Sequence, residues 1–584
     1  MLRFDFEGWP SLAFADPVEI LRADHPREVP GVLRRAQAAG DDGHFAAGYV
    51  TYEAAGGLDP VLATHPPGPG PVAWFGVYPA PITPPEADAG EAPGPQWQWP
   101  VDASDYLAAV AAIKRRIAAG QTYQVNYAVP LSGTPVPGDA YARYVQLWRH
   151  HRPRYGAFLR TPDLDIVSLS PELFVARNAH TLTTRPMKGT AARGRFPAED
   201  AEYAAGLLGS TKERAENVMI VDLLRNDLSR VCQAGTVAVP ALLTVESHPT
   251  FHALTSTVTG TLRPRVGLPE VFEAMFPCGS VTGAPKARSM AVIRELEPTA
   301  RGVYCGAIGV IQPGGDYQFS VAIRTIELSD RARYWVGSGI TWPSFAPAEF
   351  AELRVKSRVV TQTSPDFSLL ETMLWTGEHI ADLALHLDRL RFSAERLGFA
   401  FNARLIRSQI EAVLADDRGR QRRVRLTVAP SGAPQVTSSA VPNPGQVRAA
   451  LTDLPIDSTD DLWFHKTTDR TRFEERLATA GEVDDVILVN ERGELTEFTI
   501  GSLVVELGGQ LLTPPVGCGL LPGITRHRAI ESGTVNECRV LAADLYRADR
   551  IWRLNSVRGW EPVMLADSPT SREACSGPGR RSRG

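Results

Sequence analysis

Apolar and polar positions along the chain divide it into short helical and extended stretches, with neither type dominating. From Ser104 to Ala119, Leu107, Val110, Ala111 and Ile113 recur on one side of a helix, and Lys114, Arg115 and Arg116 fall on another. Gly120 ends that pattern, and Tyr123–Leu131 reads as a strand. A second helix is predicted from Lys212 to about Ser229, capped by Ser210 or Thr211, with Met219, Ile220, Leu223 and Leu224 as its apolar side. Strand patterns recur at Tyr317–Leu328 and Ala332–Ile340, and a helix follows from near Ala346 to near Val360. The next segment, Thr361–Phe367, is polar and contains Pro365, which places a domain boundary there. Beyond it the pattern predicts a helix at His386–Leu397, strands near Arg423–Val428 and Val486–Val489, and short alternating elements to about Leu565. From about Asp59 to Pro100, Pro and Gly are dense, and the stretch reads as surface loop in or beside a β-rich region. No repeat of fixed period is present.

Length turns this into at least two domains, because 584 residues exceed what one core supports at ~100–200 residues per domain. Apolar content of 43% and charged content of 22% are ordinary for a globular enzyme. A formal net charge of −5 offers no basic excess for phosphate neutralisation, which argues against a general nucleic-acid binder. No apolar run approaches the ~18 residues of a membrane helix. The opening MLRFDFEGWPSLAFADP carries acids and a Pro where a signal peptide needs an apolar core. Cys232, Cys278, Cys305, Cys518, Cys538 and Cys575 form no C-x-x-C pair and fit a reducing compartment. The expectation is a cytoplasmic protein, with residues 568–584, including Arg580, Arg581 and Arg583, as a disordered tail.

Five segments of the first half carry candidate chemistry. Phe276–Lys286 is rich in Gly, Ser and Thr and suits an anion, although an ordinary Gly-rich turn reads equally well. On a helix, Glu349 and Glu352 lie three apart on one face; they suit a hard cation such as Mg²⁺, or else form a solvated face with a Glu352–Lys356 pair. Glu213 and Glu216 repeat that spacing, with a charged first helical turn as the plain alternative. Lys188 sits beside Gly in Arg185-Pro-Met-Lys-Gly-Thr190, and Glu172 in Ser168-Leu-Ser-Pro-Glu-Leu; each reads alone as a surface or loop charge.

Taken in order from about Asp102 to Lys356, these segments resemble the chorismate-utilising enzymes, the component I family of anthranilate and aminodeoxychorismate synthases. The resemblance implies an α+β fold with a large antiparallel sheet core over residues 1–363. It implies Mg²⁺ held by Glu216, Glu349 and Glu352, with Glu213 nearby, and substrate contacts from Ser280, Tyr304, Arg324, Gly337, Gly339 and Lys356. Glu172 matches the acid that helps the ring hydroxyl leave. Water-adding relatives carry a Lys base at the position of Gln124, and glutamine cannot deprotonate water, so isochorismate formation is disfavoured. Lys188 stands where the aminodeoxychorismate branch carries a Lys; as a nucleophile it divides one substitution into two, giving nitrogen at C4. An anthranilate synthase is the runner-up. One departure is His252, which lies one place before the family's usual His-Leu pair; here that pair is Ala253-Leu254.

In the second half, His386-Leu-Asp-Arg389, His465-Lys466, Leu495-Thr-Glu497 and Leu521-Pro-Gly-Ile-Thr525-Arg526 appear in order. Pyridoxal 5′-phosphate (PLP) needs a Lys, an acid at its pyridinium nitrogen and donors for its phosphate. Over about Ser368–Val563 the set resembles the class IV aminotransferase-like family, which includes aminodeoxychorismate lyase. The resemblance implies a two-part α/β PLP-dependent domain over residues 364–567, usually dimeric. It gives Lys466 the Schiff-base role, Glu497 the acid role and Arg389, Ile524 and Thr525 the phosphate, with Glu371, Thr372 and Asn555–Gly559 lining the site. Ser502 departs from the family's Asn and loses an amide donor.

Each half implies the substrate or product of the other, a synthase–lyase route to p-aminobenzoate of the kind that feeds folate synthesis. The alternatives for the second half are an amino-acid aminotransferase and an idle scaffold. No cysteine lies on a G-x-C-x-G turn, since Cys518 in VGCGLL has its Gly neighbours misplaced, so a separate glutamine amidotransferase subunit is the expected source of ammonia.

Overall fold

The computed structural model describes residues 1–86, 94–99, 102–135, 138–361, 365–443 and 445–566. The expected tail, with Cys575, and the boundary residues 362–364 lie outside the described residues. Two compact units result: Met1–Arg193 with Glu202–Ser364, and Gly194–Ala201 with Pro365–Gly584. Residues 194–201 thus belong with the second unit, where the sequence placed them in the first domain.

The first unit is built on a nine-stranded and a ten-stranded sheet, both antiparallel in the pairings described. Its long central pairing joins Gln124–Thr134 to Ala332–Ile340, with Gly337 opposite Ala128 and Gly339 opposite Asn126. Helix Ala103–Ala118 buries Tyr106, Val110 and Ile113, and Gly120 at φ +69° permits the turn that follows. Helix Thr211–Ser229 starts at Ser210, whose hydroxyl accepts from the Glu213 N–H at 3.3 Å, a cap contributing about 1 kcal/mol. Ile220, Val221, Leu224 and Leu228 bury one side of it, which leaves Glu213 and Glu216 on another.

Two predicted elements differ from what is found. Tyr317–Leu328, expected as one strand, is two: Tyr317–Val321 in the ten-stranded sheet and Thr325–Leu328 in the nine-stranded sheet. The break falls at Arg324, whose φ of +52° interrupts the extended chain. Within the Pro- and Gly-dense stretch, Ala73–Tyr78 forms a strand buried throughout. Its residues, AWFGVY, are an apolar run between two Pro clusters, and the loop reading overlooked it.

In the second unit, antiparallel strands Leu369–Trp375, Arg422–Val428 and Pro434–Ala440 pack with helices Leu383–Leu397 and Ala403–Leu414 around a core that includes Met373, Leu390, Ile406 and Leu426. An eight-stranded mixed sheet follows, in which Val447–Leu451 runs parallel to both Asp485–Val489 and Gly559–Leu565. Arg553, inside this sheet, bridges Asp485 at 2.7 Å and Glu561 at 3.0 Å, all three buried.

Candidate active sites

A pocket of about 170 Å³ in the first unit gathers side chains that lie up to 230 positions apart in the sequence, from Asn126 to Lys356. Strand Met187–Ala192 brings Lys188, helix Thr211–Ser229 brings Glu213 and Glu216, and helix Ala346–Thr361 brings Glu349, Glu352 and Lys356. Ser280, Tyr304, Arg324, Gly337 and Gly339 are on the same wall. Space favours glycine at both positions, more strongly at Gly337. A Cβ on Gly337 would lie 2.6 Å from the Tyr304 hydroxyl, and one on Gly339 would lie 3.1 Å from both Lys188 Nζ and Gln124 Nε2.

The electrostatics of the pocket are uneven. Burial pushes the Glu172 carboxyl up to about 7, against the Ser280 hydroxyl, which donates to it at 2.6 Å, and the charge of Lys188. Burial lowers the Lys188 amine below the usual lysine range, although Glu216 and Glu172 oppose it. Glu213 and Glu216 are raised, mainly by burial. Burial also works against charge on Glu352, but Lys356 at 2.7 Å, with Lys212 and Lys188, more than offsets it and the carboxyl ends below its usual range. Arg324 has no carboxylate partner among the described residues. Its guanidinium lies over the Phe251 ring at 4.1 Å, and burial brings its pKa down to about 10.

Some sequence-predicted residues lie elsewhere. Gln124 does not line the pocket, although its amide nitrogen comes to Gly339 beside the Lys188 amine; it is fully buried, and its amide atoms have no hydrogen-bond partner among the described residues. Lys286, from the Gly-rich segment, is turned to Asp227 at 3.0 Å and to the Met275 carbonyl. His252 is off the wall and meets the Ser247 hydroxyl at 3.0 Å. Conversely, Asn126, Thr190, Lys212 and Ser338 line the pocket and were not singled out from the sequence. Asn126, two residues after Gln124 on one strand, was the most accessible of these.

A second pocket, of about 320 Å³, holds Lys466, Glu497, Arg389, Ile524 and Thr525 together. Burial brings the Lys466 amine down to about 8, helped by Arg389. Glu497 is 4% exposed and pushed up to about 8 by burial, while the Leu521 N–H donates to it at 3.2 Å. Ile524 and Thr525 open helix Ile524–Glu531 behind Gly523, so their N–H groups are at its positive end. A Cβ on Gly523 would lie 2.4 Å from the Ser502 hydroxyl, so glycine is what lets Ser502 fit there.

Strand alternation corrects one expectation. Thr372 lines the pocket, but its neighbour Glu371 does not; it stands behind the pocket residue Arg389, accepting from it at 2.6 and 2.8 Å, and meets His386 at 2.7 Å. Asn555, Ser556 and Arg558 line the wall and Gly559 does not.

Residues 7–362 match the family model described as chorismate binding enzyme. The chain belongs to that family. Residues 368–565 match the model of amino-transferase class IV. This chorismate binding enzyme is 40% identical over 257 residues to aminodeoxychorismate synthase component 1 of Escherichia coli (strain K12), covering 44% of this chain and 56% of the relative. It is 39% identical over 254 residues to anthranilate synthase component 1 of Geobacillus stearothermophilus, covering 43% and 50%. Among solved structures, anthranilate synthase component I from Streptococcus pneumoniae matches with a TM-score of 0.54 and 26% identity, over 62% of this chain and 92% of that one. The chain spans about half the length of the curated relatives it matches. Both synthase types occur at nearly equal identity, so likeness alone does not select between them. Among the described residues, no helix is long and apolar enough to cross a membrane.

The class IV family implies PLP, and the second pocket fits it. An amine held near neutrality, a buried acid for the ring nitrogen and a helix N-terminus for the phosphate are the required donor set. For Mg²⁺ the donor chemistry fits, because four carboxylates besides Glu172 line the one pocket, Glu213, Glu216, Glu349 and Glu352, and all are hard oxygen ligands. Among the described residues, however, no three acidic, His or Cys side chains are already drawn together as a cage. Glu349 accepts from Ser338, Glu352 from Lys356 and Glu216 from Thr341.

Proposed function

We propose that the first unit aminates chorismate at C4 to give 4-amino-4-deoxychorismate, and that the second eliminates pyruvate from it to give p-aminobenzoate. The observation that carries the reading is Lys188, whose amine is lowered by burial and shares a pocket with the raised acid Glu172 and the carboxylate-free Arg324.

In this reading Arg324 and Tyr304 bind a chorismate carboxylate, Arg324 through bidentate donation. Glu216, Glu349 and Glu352 would hold Mg²⁺, which supplies positive charge for the ring carboxylate. The neutral amine of Lys188 attacks the ring as the C4 hydroxyl departs as water with a proton from Glu172. Ammonia then forms the C4–N bond, and the bond to Lys188 breaks, so the net exchange is ammonia for water. The carboxyl of Glu172, raised to about 7, is partly protonated at neutral pH, as an acid in this role must be.

PLP bound in the second pocket would supply an electron sink. Glu497 would face its ring nitrogen, while Arg389 and the N–H groups of Ile524 and Thr525 would receive its phosphate. Lys466, brought down to about 8, has a neutral fraction able to move protons as pyruvate leaves and the ring aromatises. A separate glutaminase supplies the ammonia; the Escherichia coli relative is named as component 1, and the cysteines of this chain lack a nucleophile setting. The reading also places the protein in the cytoplasm, with a homodimer formed through the second unit.

The test is to incubate the purified chain with chorismate, Mg²⁺, ammonium and PLP, and to identify the product by chromatography. p-Aminobenzoate supports both assignments. Anthranilate refutes the role of Lys188, and aminodeoxychorismate as the end product refutes the lyase.

A further inference from the structure

The loop from Arg301 to Tyr304 puts Tyr304 on the wall of the first pocket, and its backbone N–H groups are gripped from behind by two glutamates. Glu53 accepts from the Arg301 N–H at 2.8 Å with one oxygen and from the Gly302 N–H at 3.1 Å with the other. Glu327 accepts from the Val303 N–H at 3.1 Å, and the Tyr304 N–H also faces its carboxylate. Four consecutive donors are therefore met by two carboxylates, one from the turn Tyr52–Ala54 and one from the strand Thr325–Leu328. Bonds of this kind are roughly twice as strong as neutral ones.

The loop has little other freedom. Gly302 stands at φ +69°, and a Cβ there would lie 2.8 Å from Glu327 Oε2. Arg301 spans Glu297, the Val281 carbonyl and the Asn126 carbonyl. Tyr304 stacks on Trp335 with centroids 5.8 Å apart and planes at 7°. On the side away from Tyr304, Glu53, Gly302, Val303 and Glu327 line a separate cleft of about 530 Å³.

We infer that Glu53 and Glu327 are positioning residues for the chorismate site: ionised, they hold loop 301–304 so that Tyr304 meets the substrate, and protonation from the cleft loosens that hold. The inference rests on the reading of the first pocket as a chorismate site. Burial pushes both carboxyls up to about 7. The charges facing them are Glu327 for Glu53, Arg333 for Glu327, and Asp163, Asp330 and Arg331 around the cleft; from Arg301 only the backbone N–H reaches Glu53. The charge of Glu327 adds to the upward push on Glu53, as the least of the effects on it. As pH falls through about 7, the two carboxyls gain protons, the N–H groups face weaker acceptors, and KM for chorismate rises.

The test uses the full chain with Mg²⁺ and ammonium, measuring KM and kcat for chorismate from about pH 6 to about pH 9. Wild type is expected to show a KM that rises on the acid side, separate from the fall in kcat that protonation of the Lys188 amine imposes. Glu327→Gln keeps an acceptor oxygen without the charge. It is expected to raise KM about tenfold at alkaline pH and to flatten the pH dependence, with kcat changed by less than about twofold. A flat wild-type KM overturns the inference without any variant, as does a Glu327→Gln enzyme with the wild-type profile. A wild-type chain that consumes no chorismate overturns the underlying reading and this inference with it.

Discussion

Arg324 gives opposite predictions for stability and for binding. Burial has moved its guanidinium from 12.5 to about 10. At about 1.4 kcal/mol per tenfold, this is a cost of about 3 kcal/mol, of which the Phe251 ring contact offsets about 0.5–2 in the charged state, leaving roughly 1–3 kcal/mol. The sign is set by protonation. Both the folded and unfolded chains carry the charged form at neutral pH, so the cost is present in full below about pH 10 and is lost as pH climbs above it. Arg324→Met keeps most of the volume and inherits the same left-handed backbone, so that strain is unchanged. The free enzyme should therefore melt higher, by about 2 °C per kcal/mol recovered. Chorismate should bind worse by about tenfold to about a hundredfold, the loss of a charged hydrogen-bonded carboxylate partner. Differential scanning calorimetry with and without chorismate reads both effects, since a ligand raises the melting temperature only where it binds. A Met variant that melts several degrees lower and retains full chorismate affinity refutes the reasoning.

Lys188→Ala should cut amination by at least about a hundredfold while the chorismate-induced rise in melting temperature persists. Because the lowered Lys188 amine reacts only when neutral, kcat for that step should increase with pH from the acid side; a flat profile counts against nucleophilic attack. Lys466→Ala should abolish the absorbance change on PLP addition and let aminodeoxychorismate accumulate, as followed by chromatography. In wild type, the second step should accelerate as pH rises through about 8, where the Lys466 amine loses its proton. Chelation by EDTA should stop the first reaction and leave the second running on supplied aminodeoxychorismate, with Mg²⁺ restoring activity; inhibition of both steps removes the assignment of the metal to Glu216, Glu349 and Glu352.

Much of this protein was written locally in its sequence. The helices Ala103–Ala118 and Thr211–Ser229 follow from apolar spacing, a Ser cap and a terminal Gly, because helical hydrogen bonds and neighbouring faces are set by residues three and four apart. The chemistry-bearing residues were also legible, as ordered motifs. What pattern reading lost is what distant segments decide. Arg324 reads as one more residue in an alternating strand, yet the backbone turns there and the chain passes from one sheet to the other, since pairing partners and not local propensity choose the sheet. Glu371 and Thr372 look alike as neighbours beside a site, and only the register of their strand against Arg422–Val428 puts Thr372 on the pocket wall and Glu371 behind it, holding Arg389. The raised acids Glu53, Glu172 and Glu327 and the lowered amines of Lys188 and Lys466 share that origin. A pKa responds to the solvent excluded and the charges brought near, and both are fixed only when segments hundreds of residues apart close around the group.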